Sequence, residues 1–182
     1  MKPLDRGLFY KYLDTATAYL EFGSGGSTYQ ASLRPGISHI ISIESDYEWH
    51  SKLKGLIPRK EGVDLRFCDM KTLPHTWGYP GKDSTAEDWK KYSDVTLDPS
   101  VRINFVLIDG RFRVACCLKC FGIEDCRIAF DDFLDRPQYH AVLEFFEIVE
   151  QTADRTMVIL KKKRDCTPPS LELIERYERI PN

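Results

Sequence analysis

The residues of this chain with the clearest chemical potential form a glycine-rich turn near its beginning. A short apolar segment, Ala18 to Phe22, carries the acidic residue Glu21 just before the turn. The turn itself consists of Gly23, Ser24, Gly25, Gly26 and Ser27. Glycine permits positive φ and lets a ligand approach the backbone, and the free amides at the start of the next helix suit a polar or anionic group. The pattern predicts a strand–turn–helix unit that binds a nucleotide-like cofactor.

The details of this turn favour S-adenosylmethionine over a dinucleotide. Thr28 stands where a dinucleotide-binding fingerprint requires its third glycine. A loop that binds S-adenosylmethionine tolerates the loss of this third glycine, because S-adenosylmethionine contains no pyrophosphate for the loop to enclose. A nicotinamide-dependent oxidoreductase is the alternative, although no Ser-Tyr-x-x-x-Lys pattern accompanies the turn. A module that binds S-adenosylmethionine without catalysis is a further alternative.

Acidic residues follow the predicted strands at their carboxyl ends, where ligands bind in open parallel sheets. Glu44 ends the second strand, 21 residues after Gly23, and is predicted to accept hydrogen bonds from a ribose diol. Asp69 follows the third strand and is the candidate for the adenine amino group. The alternative for each is a helix cap or a loop carboxylate.

Three further carboxylates end two strands that we expect to be neighbours. Asp109 ends the fourth strand, and Asp131 and Asp132 end the fifth. Carboxylates that converge in this way repel one another unless a cation joins them, and oxygen ligands suit Mg²⁺ or Mn²⁺. A bound ion would hold a substrate hydroxyl beside the methyl donor and lower its pKa. The alternative is that Asp131 or Asp132 caps a helix while Asp109 bonds to cofactor or loop amides.

Strand and helix signals alternate along the chain, which predicts one α/β domain, residues 1–182, with a mostly parallel sheet. The predicted strands are Ala18–Phe22, His39–Glu44, Asp64–Cys68, Ile103–Asp109, Arg127–Phe130 and Met157–Leu160. The predicted helices are Arg6–Asp14, Ser27–Leu33, Tyr47–Leu56, Phe112–Phe121 and a helix from Pro137 with the apolar stripe Val142, Phe145, Phe146 and Val149. Leu171–Tyr177 is a last amphipathic segment.

The segment 69–101 interrupts this alternation. A loop of such length in a small domain is usually functional, and we predict that it covers the substrate site as a lid. Its aromatic residues Trp77, Tyr79, Trp89 and Tyr92 are candidates for a platform over a sugar ring. The alternative is that they pack the loop onto the sheet.

Taken together, these motifs resemble the class I S-adenosylmethionine-dependent methyltransferases, and among them the metal-dependent catechol-type and sugar-type O-methyltransferases. The resemblance covers about residues 16 to 162 and rests on Glu21-Phe-Gly-Ser-Gly-Gly, Glu44, Ile108-Asp109-Gly110 and Phe130-Asp131-Asp132. It implies a Rossmann-like, doubly wound, seven-stranded sheet flanked by helices. It also implies methyl transfer to a hydroxyl of a sugar, a glycan or another small polyhydroxylated acceptor.

The general base is not supplied by this resemblance, because Phe112 stands where catechol-type enzymes place a catalytic lysine. His140, which follows the strand-five carboxylates, is the candidate base, and His75 in the long loop is its rival. Asp109 is predicted to act in catalysis as well as in cofactor and metal binding.

Composition restricts the partners and the compartment. The net charge is −2 with interspersed signs, which argues against a nucleic-acid surface. No apolar run is long enough to span a membrane, and the first residues lack a signal-peptide core, so we expect a cytoplasmic protein whose six cysteines stay reduced. A homodimer is a further expectation, since little of the chain is left to cover the substrate site.

Overall fold

The computed structural model describes residues 1–94, 97–154 and 156–181. Its strands are β1 Ala18–Phe22, β2 His39–Glu44, β3 Val63–Phe67, β4 Phe105–Ile108, β5 Arg127–Phe130, β6 Phe146–Gln151 and β7 Val158–Lys162. Its helices are α1 Pro3–Leu13, α2 Gly26–Ser32, α3 Tyr47–Leu56, α4 Ala86–Ser93, α5 Arg113–Lys119 and α6 Leu171–Tyr177, with 3-10 helices at Cys120–Gly122 and Pro137–Glu144.

The strands form one sheet in the order β3-β2-β1-β4-β5-β7-β6. Strands β1 to β5 are parallel, and β7 runs antiparallel to both β5 and β6. The predicted α/β class with a mostly parallel, doubly wound, seven-stranded sheet is confirmed. The strand order reverses between β1 and β4, so a crevice for ligands is expected beyond their carboxyl ends.

The central strands are apolar because helices cover both faces of the sheet. Every residue of β1 and β4 is buried. On one face Tyr19 and Phe105 pack against Phe9 of α1, with ring centroids 5.6 to 6.1 Å apart. On the other face α5 supplies a buried stripe that includes Val114, Cys117 and Leu118. This packing holds the carboxyl ends of the strands in a rigid frame.

The helix predicted from Pro137 through Val149 is wrong. A 3-10 helix occupies Pro137–Glu144, and the chain then enters the edge strand β6. The spacing of Val142, Phe145 and Phe146 arises because Val142 lies in the 3-10 turn and Phe146 begins a strand in which exposed residues alternate with buried or half-buried ones. Over so few residues, a strand that alternates with period 2 directly after one turn gives the same spacing of apolar residues as one face of a helix.

The predicted loop 69–101 contains a helix, α4, which begins with a capping box between Thr85 and Asp88. Tyr92 of this helix is fully buried against Phe22 and Phe112, and Trp89 packs partly buried beside Phe112. These two aromatic residues therefore belong to the core, as the alternative interpretation held. Positions 95 and 96 of the predicted loop lie outside the described residues.

Four of the six cysteines, Cys116, Cys117, Cys120 and Cys126, are buried, and all six are free. Burial raises the pKa of the Cys126 thiol to about 12, so it behaves as a small apolar group. Within the described residues, no helix has the length and apolar character needed to cross a bilayer.

Candidate cofactor and acceptor site

The glycine turn after β1 packs directly on the backbone that follows β4. Gly23 has φ +96°, and a Cβ placed on it would lie 2.7 Å from Cα of Gly110. A Cβ on Gly110 would in turn lie 2.8 Å from the amide nitrogen of Gly23 and 1.9 Å from the Tyr92 hydroxyl oxygen. The structure thus gives Gly23 a packing role in addition to any role towards a ligand.

Gly25 and Gly26, in contrast, face open space. No heavy atom lies within 4 Å of a Cβ built on Gly26, and the nearest to one on Gly25 is Nε1 of Trp49, at 4.0 Å. Backbone that a ligand can approach without meeting a side chain is the property for which the turn was predicted to bind a cofactor. Of the predicted loop residues, these two have the geometry that the prediction requires.

Glu21 lies behind the turn, fully buried among hydroxyl groups. Tyr19 and Ser42 donate hydrogen bonds of 2.9 and 2.7 Å to its carboxylate. Ser27 donates another of 2.7 Å, and Thr28 a fourth. Burial raises the pKa of Glu21, while the four hydroxyl donors stabilise its charged form. Through their hydrogen bond, Glu21 and Ser27 therefore support the glycine turn, and they do not lie on its open side.

Trp49 is a residue of the site that sequence reasoning missed. Its indole nitrogen donates a 2.8 Å hydrogen bond to the Ser24 carbonyl, while the Ser24 hydroxyl is 2.6 Å from that of Ser42. The available signal was its position three residues after Asp46, which caps α3 directly behind Glu44. Trp49 holds the glycine turn against the helix that follows the predicted ribose-binding acid.

Glu44, the predicted ribose-binding acid, is held by the backbone that follows it. It is 7% exposed at the end of β2, and its Oε1 accepts hydrogen bonds of 2.7 and 2.8 Å from the amides of Ser45 and Asp46. Within the described residues, no hydrogen bond reaches its Oε2. Burial raises the pKa of Glu44 to about 7, although the two amides act in the opposite direction. One carboxylate oxygen is thus held in place and the other is available to a ligand hydroxyl.

Asp69 is exposed at the end of β3. Its side chain accepts a 2.9 Å hydrogen bond from the Lys71 amide and forms an ion pair with the Lys71 ammonium group, which lowers the pKa of Asp69. It lines an open cavity of about 390 Å³ between β3 and α4, together with Phe67 and Asp88. An adenine amino group would have to share this carboxylate with Lys71.

Residues 72–79, here called the strap, lie between β3 and α4 in the sequence. Hydrogen bonds join the strap to Ser45, which follows β2, and to Arg111, which follows β4. Thr72 donates to the Ser45 carbonyl at 3.0 Å, and Ser45 donates to the Gly78 carbonyl at 3.0 Å. On the opposite side, Nε of Arg111 donates to the Trp77 carbonyl at 3.2 Å. A Cβ on Gly78 would lie 3.6 Å from Oε1 of Glu44, so the strap passes directly beside the predicted ribose-binding acid.

The carboxylates after β4 and β5 are joined by an arginine. The guanidinium of Arg113 lies 3.2 Å from Asp109 Oδ1 and 3.5 Å from Asp132 Oδ2, and it also donates to the Asp131 carbonyl at 2.7 Å. Asp132 makes a second ion pair of 2.8 Å with Arg136. Sequence reasoning missed this role of Arg113, which depends on tertiary contacts.

Asp131 is the most deeply buried acid of this cluster. It is 5% exposed, and its Oδ1 has no hydrogen-bond partner within the described part of the chain. Burial, followed by repulsion from Asp109, raises the pKa of Asp131 to about 8. The Asp131 carboxylate therefore takes up a proton more readily than an ordinary aspartate does.

The three side chains as they stand do not form a metal site. Across residues 1–94, 97–154 and 156–181, no three His, Cys, Asp or Glu side chains are placed to hold an ion. Arg113 supplies the positive charge between Asp109 and Asp132, while the unpartnered oxygen of Asp131 is the one feature that suits a cation. Metal dependence therefore stays a prediction from the sequence.

The two histidine candidates lie in different surroundings. Nε2 of His140 is 3.2 Å from the Phe133 carbonyl, and its ring packs on Phe133 with centroids 5.2 Å apart. His75 is exposed in the strap with φ +63°. Among the described residues, neither histidine forms a hydrogen bond or an ion pair with the carboxylates of Asp109, Asp131 and Asp132.

The sheet order 3-2-1-4-5-7-6 with an antiparallel β7 defines the fold of the class I S-adenosylmethionine-dependent methyltransferases. A methyltransferase-like protein from Silicibacter pomeroyi superposes with a TM-score of 0.85 at 29% identity, covering 100% of this chain and 96% of that one. No protein-family model matches the sequence, and a search of curated proteins likewise finds no match.

Two more distant structures share the fold alone. A Streptococcus pneumoniae protein assigned as a tRNA methyltransferase, solved with S-adenosyl-L-methionine, has a TM-score of 0.57 at 13% identity over 99% of this chain and 80% of its own. A ribosomal protein L11 methylase from Lactobacillus delbrueckii subsp. bulgaricus has a TM-score of 0.54 at 13% identity over 88% and 77%. The fold is thus that of methyltransferases with varied acceptors.

Proposed function

We propose that this protein is an S-adenosylmethionine-dependent methyltransferase. The observation that carries the proposal is Glu44, a buried carboxylate at the end of β2 with one oxygen held by two amides and the other unpartnered in the described structure. It lies in a sheet with the methyltransferase strand order. The full-length similarity to a methyltransferase-like protein supports the same conclusion.

The residues of this chain would bind the cofactor through backbone and carboxylate groups. Glu44 Oε2 would accept a ribose hydroxyl, and the open backbone at Gly25 and Gly26 would lie against the cofactor. Trp49 and Glu21 would keep the turn in place from behind. When bound, the cofactor supplies a methyl group on a positively charged sulfur, and much of the acceleration comes from aligning the acceptor with it.

For the acceptor, we propose a hydroxyl group of a sugar, a glycan or another small polyhydroxylated molecule. Such a hydroxyl must lose its proton on transfer, and the unpartnered oxygen of Asp131 supports a role as proton acceptor beside Asp109. His140 was the candidate from sequence, but its Nε2 lies against the Phe133 carbonyl. Assistance by Mg²⁺ or Mn²⁺, a homodimer and the absence of a nucleic-acid partner remain parts of the proposal.

Calorimetric titration with S-adenosylhomocysteine, run beside NAD⁺, tests the cofactor. We expect S-adenosylhomocysteine to bind and NAD⁺ not to bind, and Glu44→Ala to weaken the interaction. Asp14→Ala is the matched control, because Asp14 is an exposed acid whose ion pair with Arg34 lies outside the site. Binding of NAD⁺ instead, or of neither compound, would overturn the proposal.

Turnover measurements on candidate polyols then separate the proposed proton acceptors and the metal. We expect Asp131→Asn to abolish methyl transfer while leaving S-adenosylhomocysteine affinity nearly unchanged, and His140→Gln to have a small effect. Each assay is run with EDTA and with added Mg²⁺ or Mn²⁺. Equal rates in the two conditions would remove the metal from the proposal, and full activity of Asp131→Asn would remove Asp131 as the base.

A further inference from the structure

Arg111 follows Gly110 after β4, and a hydrogen bond to the strap holds its charged side chain in place. Its Nε donates to the Trp77 carbonyl at 3.2 Å, and its guanidinium lies 6.0 Å from the ring centroid of Tyr79. Within the described residues, Arg111 has no carboxylate partner, whereas Arg113 and Arg136 pair with the acids that follow β4 and β5. The position of its charge is therefore set by the strap and not by an ion pair.

The strap presents an aromatic residue beside this cation. Trp77 is 87% exposed and Tyr79 is 49% exposed, although both side chains carry large aromatic rings. Trp77 and Gly78 have φ values of +54° and +71°, which makes a sharp turn that the flanking hydrogen bonds of Ser45 and Arg111 hold. An exposed indole on backbone secured at both sides is a preformed surface for a ring.

This surface lies next to the proposed transfer site. Arg111 directly follows Gly110, whose backbone touches that of Gly23 in the glycine turn. Its amide also donates to the Tyr92 hydroxyl at 3.4 Å, which ties it to the core helix α4. A ligand held by Arg111 and Trp77 would therefore reach the crevice at the carboxyl ends of β1 and β4.

We propose that Trp77, Tyr79 and Arg111 form an acceptor subsite for an anionic sugar, that is, a sugar ring bearing a phosphate or a carboxylate. This inference rests on the proposed function and names its acceptor class. The terminal nitrogens of Arg111 present donors in a planar fork that matches either anion, while Nε stays with the strap. The sugar ring packs on the Trp77 indole.

The test is calorimetry on protein saturated with S-adenosylhomocysteine, with glucose, glucose 6-phosphate and glucuronate as probes. We expect both anionic sugars to bind at least roughly tenfold more tightly than glucose, as a charge-assisted hydrogen bond implies. Comparison of glucose 6-phosphate with glucuronate identifies which anion the subsite prefers. Arg111→Gln should abolish this preference, and Arg111→Lys should retain part of it.

The preference for anionic over neutral sugar separates binding from a structural role. If Arg111 only holds the strap, Arg111→Gln weakens all three probes equally and the ratio survives. Arg164→Gln, at an exposed arginine outside the site, is the matched control and should leave the ratio unchanged. Trp77→Ala should weaken every probe, because the ring surface is lost.

Three results would overturn the inference. One is equally tight binding of the neutral and the anionic sugars, and another is a preference for anionic sugars that survives in Arg111→Gln. The third such result is that every probe has a Kd above about 10 mM. Failure of this inference is distinguishable from failure of the proposed function, because S-adenosylhomocysteine binding is measured first and independently.

Discussion

Two glutamates of the same site show how surroundings assign different roles to one residue type. Glu21 is enclosed by four hydroxyl donors and has no open side, so it supports the glycine turn. Glu44 receives two amides on a single oxygen, and its second oxygen stays available. Their positions at the ends of neighbouring strands are similar, but their hydrogen bonds differ because the hydroxyls cluster around only one of them.

The first prediction concerns the pH dependence of cofactor binding at Glu44. Its pKa of about 7 means that the carboxyl is mainly protonated at pH 6 and mainly ionised at pH 8. Since ribose hydroxyls donate best to the ionised form, S-adenosylhomocysteine affinity should rise roughly tenfold over this interval. Calorimetry at several pH values measures it. Glu44→Gln should show weaker and flat binding, and a flat profile in the unaltered protein would contradict the assignment.

The second prediction concerns the hydroxyl cage around Glu21. Tyr19→Phe removes one of four donors and should lower the free energy of unfolding by about 1 kcal/mol. Glu21→Ala leaves several buried hydroxyls without an acceptor and should cost about 3 kcal/mol. Urea denaturation gives both values. If Glu21→Ala were no more harmful than Tyr19→Phe, the cage would not stabilise the turn.

At the scale of elements, the approach of β1 to β4 depends on two bare backbones and one tyrosine. Gly23 and Gly110 touch without side chains, and the Tyr92 hydroxyl from α4 fills the space above Gly110. Together with the packing of Tyr92 on Phe22 and Phe112, this contact makes α4 part of the core, although its segment looks like a loop in sequence. It also couples the glycine turn to the strap through Arg111.

The third prediction concerns Gly110. A Cβ there would lie 2.8 Å from the Gly23 nitrogen and 2.9 Å from the Phe22 carbonyl carbon, both of them backbone atoms that cannot move separately. Gly110→Ala should therefore destabilise the fold by about 3 kcal/mol or more. Gly55→Ala is the matched control, because Gly55 lies in α3 with open space around it, and it should stabilise by up to about 1 kcal/mol. Similar melting temperatures for the two variants would contradict the contact.

Among the described residues, burial raises the pKa of Glu21, Glu44 and Asp131, so these acids bind protons in the folded state that they release when the chain unfolds. Burial raises the pKa of Glu44 from 4.5 to about 7 and that of Asp131 from 3.8 to about 8. Between those limits the folded state holds more protons than the unfolded state. Stability must therefore fall as the pH rises through this window.

The fourth prediction follows from this linkage. Thermal melts should show the protein less stable at pH 8 than at pH 5, and the double variant Glu44→Gln with Asp131→Asn should reduce the difference. The variant with Asp14→Ala serves as the control, since that acid is exposed. If the melting temperature instead rises steadily from pH 5 to pH 8, the pKa values of these two carboxyls are not raised in the folded state, and the prediction is wrong.

Local patterns in the sequence determined much of this protein. The bounds of β1, β2, α3 and β5 match the structure, and Glu44 ends β2 as predicted. These features are encoded within a few residues, by an apolar run, a cap such as Asp46 and glycines that permit a tight turn. The sheet class follows from their alternation along the chain.

Only the tertiary structure decided which partners the polar groups have. The burial of Glu21 among hydroxyls, the pairing of Asp109 and Asp132 with Arg113, and the change from helix to strand at Phe146 depend on residues distant in sequence or on position in the sheet. The surrounding groups decide whether a carboxylate supports a turn, forms an ion pair or has an oxygen available to a bound ligand. Those surroundings exist only once the strands have come together, because no short stretch of sequence specifies them.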